Sequence, residues 1–327
     1  MTREDRRAVA LWLLICAAMV FAIVVVGGIT RLTRSGLSIV EWQPLIGMLP
    51  PLSDADWQEL FAKYRVTPEF KRVNFDMQLD GFKRIFWWEY AHRLLGRLAG
   101  LVFLLPYLYF LILKELEQPL ALKLAGVFAL GALQGALGWY MVKSGLVDDP
   151  RVSQFRLTAH LGLALLIFSA QLWLAFDLLL QNSKFLIRQT VVPILIFLMA
   201  LSGGMVAGIR AGSAYNSFPL MNGHLVPPEI LMMEPWWRNF GYNMATVQFV
   251  HRGFFWLLLI LMPLAWWKAR GKGPASLLLA AFVLQAALGI ATLLLKVPIA
   301  LAAAHQAGAV LLLATALWYA HGAGRQR

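Results

Sequence analysis

The amino-acid sequence predicts an all-α polytopic membrane protein whose eight transmembrane helices form two pseudo-symmetric four-helix bundles. Three observations predict it: 60% of the 327 residues are hydrophobic and 14% are charged, the hydrophobic residues gather into eight long runs, and the second half of the chain repeats motifs of the first. A soluble domain contains roughly 45–50% apolar and about 25% charged residues, so a water-soluble enzyme is excluded. The runs also lack the apolar–polar alternation of a transmembrane barrel.

Each run is long enough to cross a hydrocarbon layer of roughly 30 Å, which takes about 20 residues of helix. Because eight crossings return the chain to its starting side, both termini are expected on one face of the membrane. Short basic segments such as the one with Arg3, Arg6 and Arg7 lie on that face, and the positive-inside rule makes it cytoplasmic. The net charge of +12 therefore reflects orientation and anionic lipid, and no nucleic-acid partner is expected. The predicted spans are 8–28, 86–113, 120–142, 156–178, 189–209, 244–267, 274–295 and 298–320.

Five sequence blocks recur in the same order in the two halves of the chain. Each half has four crossings, an even number, so the halves are expected to have parallel topology and a pseudo-two-fold axis along the membrane normal. The predicted halves are 1–183, which includes a long outer loop at 29–85, and 184–327. In the first matched pair, the run ending at Arg31 corresponds to the run leading to Arg210. The pairs are 26–31 with 202–210, 44–51 with 219–228, 90–93 with 249–252, 133–138 with 284–289 and 158–162 with 303–308.

Four histidines, His92, His160, His251 and His305, lie inside the even-numbered spans, five to seven residues from the outer end of each. Ionisable groups within membrane spans are uncommon and indicate function, although a single histidine also serves as an interhelical hydrogen bond. Two imidazoles per half at similar depth form a natural pair of axial ligands for a haem iron. Zinc prefers three or four such ligands, and di-iron sites need repeated Glu-x-x-His motifs, so both metals are disfavoured.

The two halves differ beside the first histidine of each pair. Glu89 precedes His92 by three residues, and Gln248 stands at the corresponding position of the second half. Residues i and i+3 share a helix face, so Glu89 and His92 reach one pocket. We therefore predict chemistry in the first half and a redox cofactor in the second. The alternative is that Glu89 is an interface carboxylate paired with Arg93 or Arg84.

Two matched pairs of polar residues accompany the histidines. Arg93 and Arg252 directly follow the first histidine of each half, at the outer boundary, where an arginine fork suits a haem propionate. The alternative for both is snorkelling at the membrane boundary. Gln134 and Gln285 lie within apolar spans and either bond across the bundle or line the pocket; the structural role is favoured.

Three further residues with reactive or titratable side chains are given structural roles. Cys16 is the single cysteine, cannot form an internal disulfide, and is interpreted as a small buried hydrophobe. His224 in the second outer loop and His321 at the last helix end are expected to be solvated or interfacial.

With these residues the chain resembles the haem A synthase family over about residues 20–320. The most specific blocks are 27–38 followed by Glu41-Trp42, the block 89–93, and the four spaced histidines. Some bacterial members have a cysteine pair in the first outer loop, which this chain lacks. It is therefore more similar to the cysteine-free branch shared by proteobacterial and mitochondrial members, and a thiol-dependent step is in doubt.

The resemblance implies a role for each candidate residue. His92 and His160 would be the iron ligands of the substrate, haem O, and His251 and His305 those of a resident haem b cofactor. Glu89 would be the catalytic carboxylate. Two axial histidines leave the iron no open position, which favours oxidation of the macrocycle itself, with electrons leaving through haem b.

The reaction implied by the resemblance oxidises the C8 methyl group of haem O to a formyl group, giving haem A for terminal oxidases. The partners it implies are haem O, membrane lipid, a haem O synthase, an electron acceptor or donor, and the assembly of a terminal oxidase; a homo-oligomer is left open. The expected location is the bacterial cytoplasmic membrane, with the haem sites near its outer face.

Two other classes of protein fit parts of the sequence. A di-haem b-type electron carrier linked to quinone would place its haems at two depths, whereas the four histidines lie near one face. A transporter of haem or another small molecule would fit the repeats, but helices broken at the midplane are not evident.

Overall fold

The computed structural model describes residues 1–42, 48–147, 149–180, 190–271 and 273–322, and its regular structure within these ranges is helical. Eight of the helices there are long and apolar enough to cross a membrane, which confirms the predicted all-α polytopic class. In chain order the helices are α1 Arg3–Leu32, α2 Asp54–Arg65, α3 Pro68–Arg72, α4 Leu79–Ile112, α5 Gln118–Lys143, α6 Gln154–Leu180, α7 Val191–Gly208, α8 Asn239–Tyr242, α9 Met244–Lys268, α10 Pro274–Leu294 and α11 Ile299–Gly322.

Some membrane helices extend well past the predicted apolar spans because polar residues continue them. α1 begins at Arg3 because Thr2 and Asp5 form a capping box there. α4 begins at Leu79, seven residues before the predicted span, and includes a charged first turn. His92 consequently lies thirteen residues after its helix start, whereas the other three histidines lie six or seven residues after theirs. The helix of His92 therefore begins well before its predicted membrane span, and the predicted depth of His92 within the membrane stays a prediction.

Helix packing follows the sequence repeat. In the first half α1 and α5 each contact α4 and α6, and in the second half α7 and α10 each contact α9 and α11. Between the halves, α6 contacts α7, α1 contacts α11, and α6 contacts α11. Exchanging α1, α4, α5 and α6 with α7, α9, α10 and α11 reproduces every one of these pairs. The packing is consistent with two related four-helix bundles; the predicted boundary at residues 183 and 184 lies outside the described residues.

One buried core crosses from the first half to the second. It includes Val24 of α1, Phe168 of α6, Met262 of α9, Phe282 of α10 and Leu313 of α11. Lipid tails are as apolar as these side chains, so close packing rather than transfer from water holds such helices together. The two halves are therefore joined by interlocking side chains as well as by their connecting segment.

The segment between α1 and α4, predicted as the first outer loop and called the first outer segment, folds into a helical cap on α4. Ser53 and Thr67 accept hydrogen bonds from backbone N–H groups in the first turns of α2 and α3, which fixes where these helices begin. Trp57 and Tyr64 of α2 are buried against Phe82 of α4. The cap therefore lies directly over the outer part of the helix that carries His92.

The second outer segment is held by polar side chains rather than by a long helix. Asn239 is fully buried; its Oδ1 accepts a hydrogen bond from the Met233 N–H at 2.9 Å, and its Nδ2 donates to the carbonyls of Met233 and Trp236 at 2.8 Å. Asn243 caps α9 by accepting hydrogen bonds from backbone N–H groups of its first turn. These contacts fix the approach of the chain to α9 and His251.

His321 is buried, so of its two predicted roles, solvated or interfacial, the solvated one is wrong. Its ring is buried against Trp173 and Phe176, and its Nε2 lies 2.9 Å from Asp177 Oδ1. The reason is that α11 continues to Gly322 and packs along α6, so the ring lies between two helices.

Gly28 of α1 provides a test of the contact between the halves. A Cβ atom there would overlap Gln306 Oε1 of α11, whose Nε2 donates to the Val24 carbonyl at 2.7 Å. We expect Gly28→Ala to destabilise the protein by about 1–3 kcal/mol, because the packed amide must move. Thermal unfolding in detergent measures the loss, and Gln306→Ala in the same chain is expected to restore most of it. An equal loss with and without the Gln306 side chain would contradict the contact.

Candidate functional site

Each of the four membrane histidines rests against a glycine of the preceding membrane helix. A Cβ atom on most of these glycines would lie too close to the ring for two non-bonded atoms. The rings therefore occupy space that is open only because glycine has no side chain. The four glycines also fall at positions related by the repeat. The separations from such a Cβ atom would be 2.8 Å from Gly27 to His92 Nε2, 2.9 Å from Gly138 to His160 Cε1, 3.3 Å from Gly203 to His251 Cε1, and 2.7 Å from Gly289 to His305 Cε1.

Polar side chains from neighbouring helices orient the rings. Gln134 Nε2 donates to the His160 carbonyl at 3.0 Å and lies 3.3 Å from the Nε2 of the same histidine. Gln285 makes the matching pair of contacts with His305, at 2.9 Å to the carbonyl and 3.1 Å to Nδ1. Ser202 Oγ lies 2.8 Å from His251 Nδ1. The two glutamines thus bond across their helix pairs, as the favoured structural role requires, and Gln134 also lines the cavity described next.

A cavity of about 1560 Å³ lies mainly in the first half, is bordered by residues 208–213 of the second, and is lined by both histidines of the first half. This exceeds the roughly 300–1,000 Å³ of most small-molecule pockets. His92, His160 and Glu89 all line it. Gly96 and Gly135 form part of its wall, and a Cβ atom on either would meet no atom within 4 Å. The cavity therefore has the volume that a flat macrocycle requires and open space beside the glycines of its wall.

Glu89 is buried in the cavity wall and accepts four hydrogen bonds. Its Oε2 accepts from Ser38 Oγ at 2.7 Å and from the Ile39 N–H at 2.8 Å. Its Oε1 accepts from Arg93 Nη2 at 2.7 Å and from Arg93 Nε at 3.1 Å. The carboxylate is thus both paired with Arg93, as the structural alternative predicted, and in the same cavity as His92, as the functional interpretation predicted.

Gln248 holds the equivalent position in the second half and reverses the hydrogen-bonding polarity on one side. Its Oε1 accepts from Arg252 Nη2 at 2.8 Å, as Glu89 accepts from Arg93, whereas its Nε2 donates to the Ala211 carbonyl at 2.8 Å. A backbone acceptor thus stands where Ser38 and the Ile39 N–H donate to Glu89. The second half therefore has the same hydrogen-bonded corner without its negative charge.

Arg93 and Arg252 bind the outer segments. Besides the carboxylate, the Arg93 fork donates to the carbonyls of Ile39 and Glu41. Arg252 is buried, and its Nη1 and Nη2 donate to four carbonyls within residues 215–220. Arg252 Nε is buried without a partner among the described residues. Each arginine thus fastens a loop to its helix, and Arg252 retains one donor for a ligand.

Glu69 is a site residue that sequence reasoning missed. It lies on α3, is 4% exposed, lines the cavity, and accepts a hydrogen bond from Tyr64 Oη at 3.4 Å. Burial, together with the negative charge of Glu89, raises the pKa of Glu69 to about 7; Tyr64 and the cations Arg34 and Arg210 oppose the shift. Nothing in the sequence marks it, because it is one of several carboxylates in a polar segment outside the repeats.

The donor set of both halves fits haem. Each half supplies two imidazoles from alternate membrane helices, and a paired imidazole ligation is typical of b-type haem. His251 and His305 lie close enough to interact electrostatically. In the first half His160 Nδ1 and Gln134 Oε1 are buried without a hydrogen-bond partner in the described part of the chain. The ring nitrogen of His160 is thus available to bind an iron.

The raised pKa of Glu69 predicts a pH dependence of stability. Between its ordinary value of 4.5 and about 7 the folded chain holds a proton that the unfolded chain has lost. The stabilisation is therefore fully present below pH 4.5, declines as the pH rises, and is absent above about 7. We expect Glu69→Gln to flatten this part of the profile of melting temperature against pH, and Glu59→Gln, an exposed carboxylate of α2, to leave it unchanged. An undiminished slope in Glu69→Gln would contradict the burial assigned to this carboxyl.

Comparison with known proteins agrees with the site geometry. The profile of the COX15-CtaA family, described as "Cytochrome oxidase assembly protein", matches residues 10–317. The chain is 59% identical to a protein of Nitrosospira multiformis named "Heme A synthase", over 98% of this chain and 95% of that protein. Proteins of the same name from Nitrosomonas eutropha and Parvibaculum lavamentivorans are 54% and 48% identical, over 96% and 98% of this chain and 93% and 95% of theirs. The chain belongs to the COX15-CtaA family of cytochrome oxidase assembly proteins.

Proposed function

We propose that the protein is a haem A synthase, which oxidises the C8 methyl group of haem O to the formyl group of haem A for terminal oxidases. The observation that carries the proposal is the cavity of the first half, where His92, His160 and the buried carboxylate of Glu89 line one space. The relatives named "Heme A synthase" match nearly the whole chain and support the same conclusion.

Two haem sites are part of the proposal. His92 and His160 would bind the iron of haem O, and His251 and His305 that of a resident haem b, with the free Nε of Arg252 available to a propionate. A bound haem b supplies one-electron redox chemistry. The division of labour is supported by the repeat, because the second half has the histidines and their glycines but carries Gln248 in place of the carboxylate.

Glu89 is proposed as the catalytic residue. Converting a methyl to a formyl group takes two oxidations, first to an alcohol and then to a gem-diol that loses water. Each oxidation removes two electrons, which would pass to the electron acceptor, and a proton must leave the carbon at each stage. A carboxylate in the cavity wall can accept such a proton or activate a water. Hydrogen bonds from Ser38, Ile39 and Arg93 fix both oxygens of Glu89. The carboxylate is therefore oriented as a proton acceptor before the substrate binds.

The proposed orientation places both termini on the cytoplasmic side of a bacterial inner membrane. The N-terminal end of α1 carries Arg3, Arg6 and Arg7, which the positive-inside rule assigns to the cytoplasm. The cavity would then open near the outer face, beneath the helical cap. A haem O synthase as supplier, an electron acceptor, and delivery of haem A to a terminal oxidase complete the proposal.

The function is tested by expressing the protein with a supply of haem O, purifying it, and identifying the haems that are extracted from it. We expect extraction to yield haem A, or haem O and its oxidised forms, in addition to haem b. Glu89→Gln should retain bound haem O while the yield of haem A falls by orders of magnitude, since the amide keeps the shape but loses the basicity. Haem b alone in the wild type would instead indicate an electron carrier, and full activity in Glu89→Gln would refute the role of the carboxylate.

The resident haem has its own test in His251→Met. A thioether in place of an imidazole changes the axial field and raises the reduction potential of haem iron, so the absorption spectrum and midpoint potential of the bound haem b should both shift. His224→Met, in the exposed outer segment, is the matched control and should leave both unchanged. An unaltered spectrum in His251→Met would refute the ligation.

A further inference from the structure

Three of the arginines that line the cavity in addition to Arg93 lie at or just beyond helix ends. Arg31 lies in the last turn of α1, Arg34 two residues beyond its end, and Arg210 two residues beyond the end of α7. No ion pair or side-chain hydrogen bond engages these three guanidinium groups in the described ranges. In Arg93 and Arg252, by contrast, most guanidinium N–H groups donate hydrogen bonds to loop carbonyls and to the side chain four residues earlier.

Arg34 and Arg210 are structurally equivalent residues of the two halves. Both follow a helix end in the left-handed backbone conformation, with φ values of 55° and 57°. Their spacing from Gly27 and Gly203, the glycines beneath His92 and His251, is identical. The sequence match between Arg31 and Arg210 was therefore three residues out of register. The repeat thus brings one arginine from each half to the same cavity.

The arginines form a local excess of positive charge. Burial and the charges of Arg34 and Arg151 lower the pKa of the Arg210 guanidinium, and Arg31 also lies within electrostatic range of Arg210. The acid that opposes this field is Glu69, which interacts with Arg34 and Arg210 and also with Glu89. Like charges gathered at a partly buried surface repel one another. The cluster therefore favours an anionic ligand in the cavity that Glu89 also lines.

We propose that Arg31, Arg34 and Arg210 bind the two propionates of haem O, an inference that rests on the proposed function. Guanidinium forks match carboxylates in charge and geometry. The arginines and the histidine pair line one cavity, so the porphyrin is held at its iron and at its carboxylate edge. The C8 methyl shares a pyrrole ring with one propionate, so anchoring that edge presents this methyl to the part of the wall that contains Glu89. Because Arg210 belongs to the second half, the substrate site is completed across both halves.

The experiment compares haem O with its propionate dimethyl ester, which keeps the iron and the macrocycle and removes both charges. Each ligand is titrated into the purified full-length protein and followed by the absorbance of the bound porphyrin. Arg31→Gln, Arg34→Gln and Arg210→Gln should each weaken binding of the free acid by roughly ten-fold and leave binding of the ester unchanged. Arg270→Gln is the matched control, because Arg270 follows the end of α9 in the same left-handed conformation, at φ 53°, and should change neither affinity.

Two results would overturn the proposal. One is equal weakening of both ligands, which would mean that the arginines maintain the shape of the cavity; the other is unchanged binding of the free acid. If the variants lose co-purifying anionic phospholipid while haem O affinity stays the same, the arginines bind headgroups instead. The proposed function fails separately: a wild-type protein that prefers the free acid over the ester but forms no haem A would refute the synthase and leave the propionate site standing.

Discussion

The contact between each imidazole and a glycine of the preceding helix is the constraint on which the remaining structure depends. It fixes four helix pairs at once, because a ring can enter the neighbouring helix surface only where a side chain is missing. The rotation of each helix about its axis and its height against its neighbour follow from that single contact. Gln134 and Gln285 then orient the second ring of each half from the side. A pair of imidazole rings held in this way is positioned by the backbone, which moves less than side chains do.

On this shared frame the two halves have diverged in charge rather than in shape. Both have an arginine that fastens the outer segment and a partner four residues earlier that receives it. In the first half the partner is Glu89, surrounded by donors, and in the second it is Gln248, which donates to a carbonyl. An amide and a carboxylate occupy nearly the same volume, so the exchange changes the electrostatics of one wall without disturbing its packing. One such exchange therefore gives the first half a buried negative charge that the second half lacks.

Hydrophobicity and the repeat predicted most of the fold because membrane helices must satisfy their backbone internally and present apolar side chains to lipid. The same reasoning identified the four histidines, since an imidazole in an apolar run stands out. It could not find Glu69, whose burial depends on how α3 folds back over the cavity. Nor could it predict that Arg252 would donate hydrogen bonds to carbonyls of residues 215–220, because amino-acid composition does not determine the backbone path of an irregular segment. His321 was misjudged for a related reason: a residue near a chain end is buried when its helix continues beside another.

The contact between α6 and α11 has a consequence for communication between the two halves. α6 carries His160 and α11 carries His305, and the two helices pack directly on each other between the halves. The cavity wall that carries His160 and the helix that carries His305 therefore share one packed surface. A tilt of α6 would move the surface against which α11 lies, so a change at His160 would reach His305 through direct helix contact.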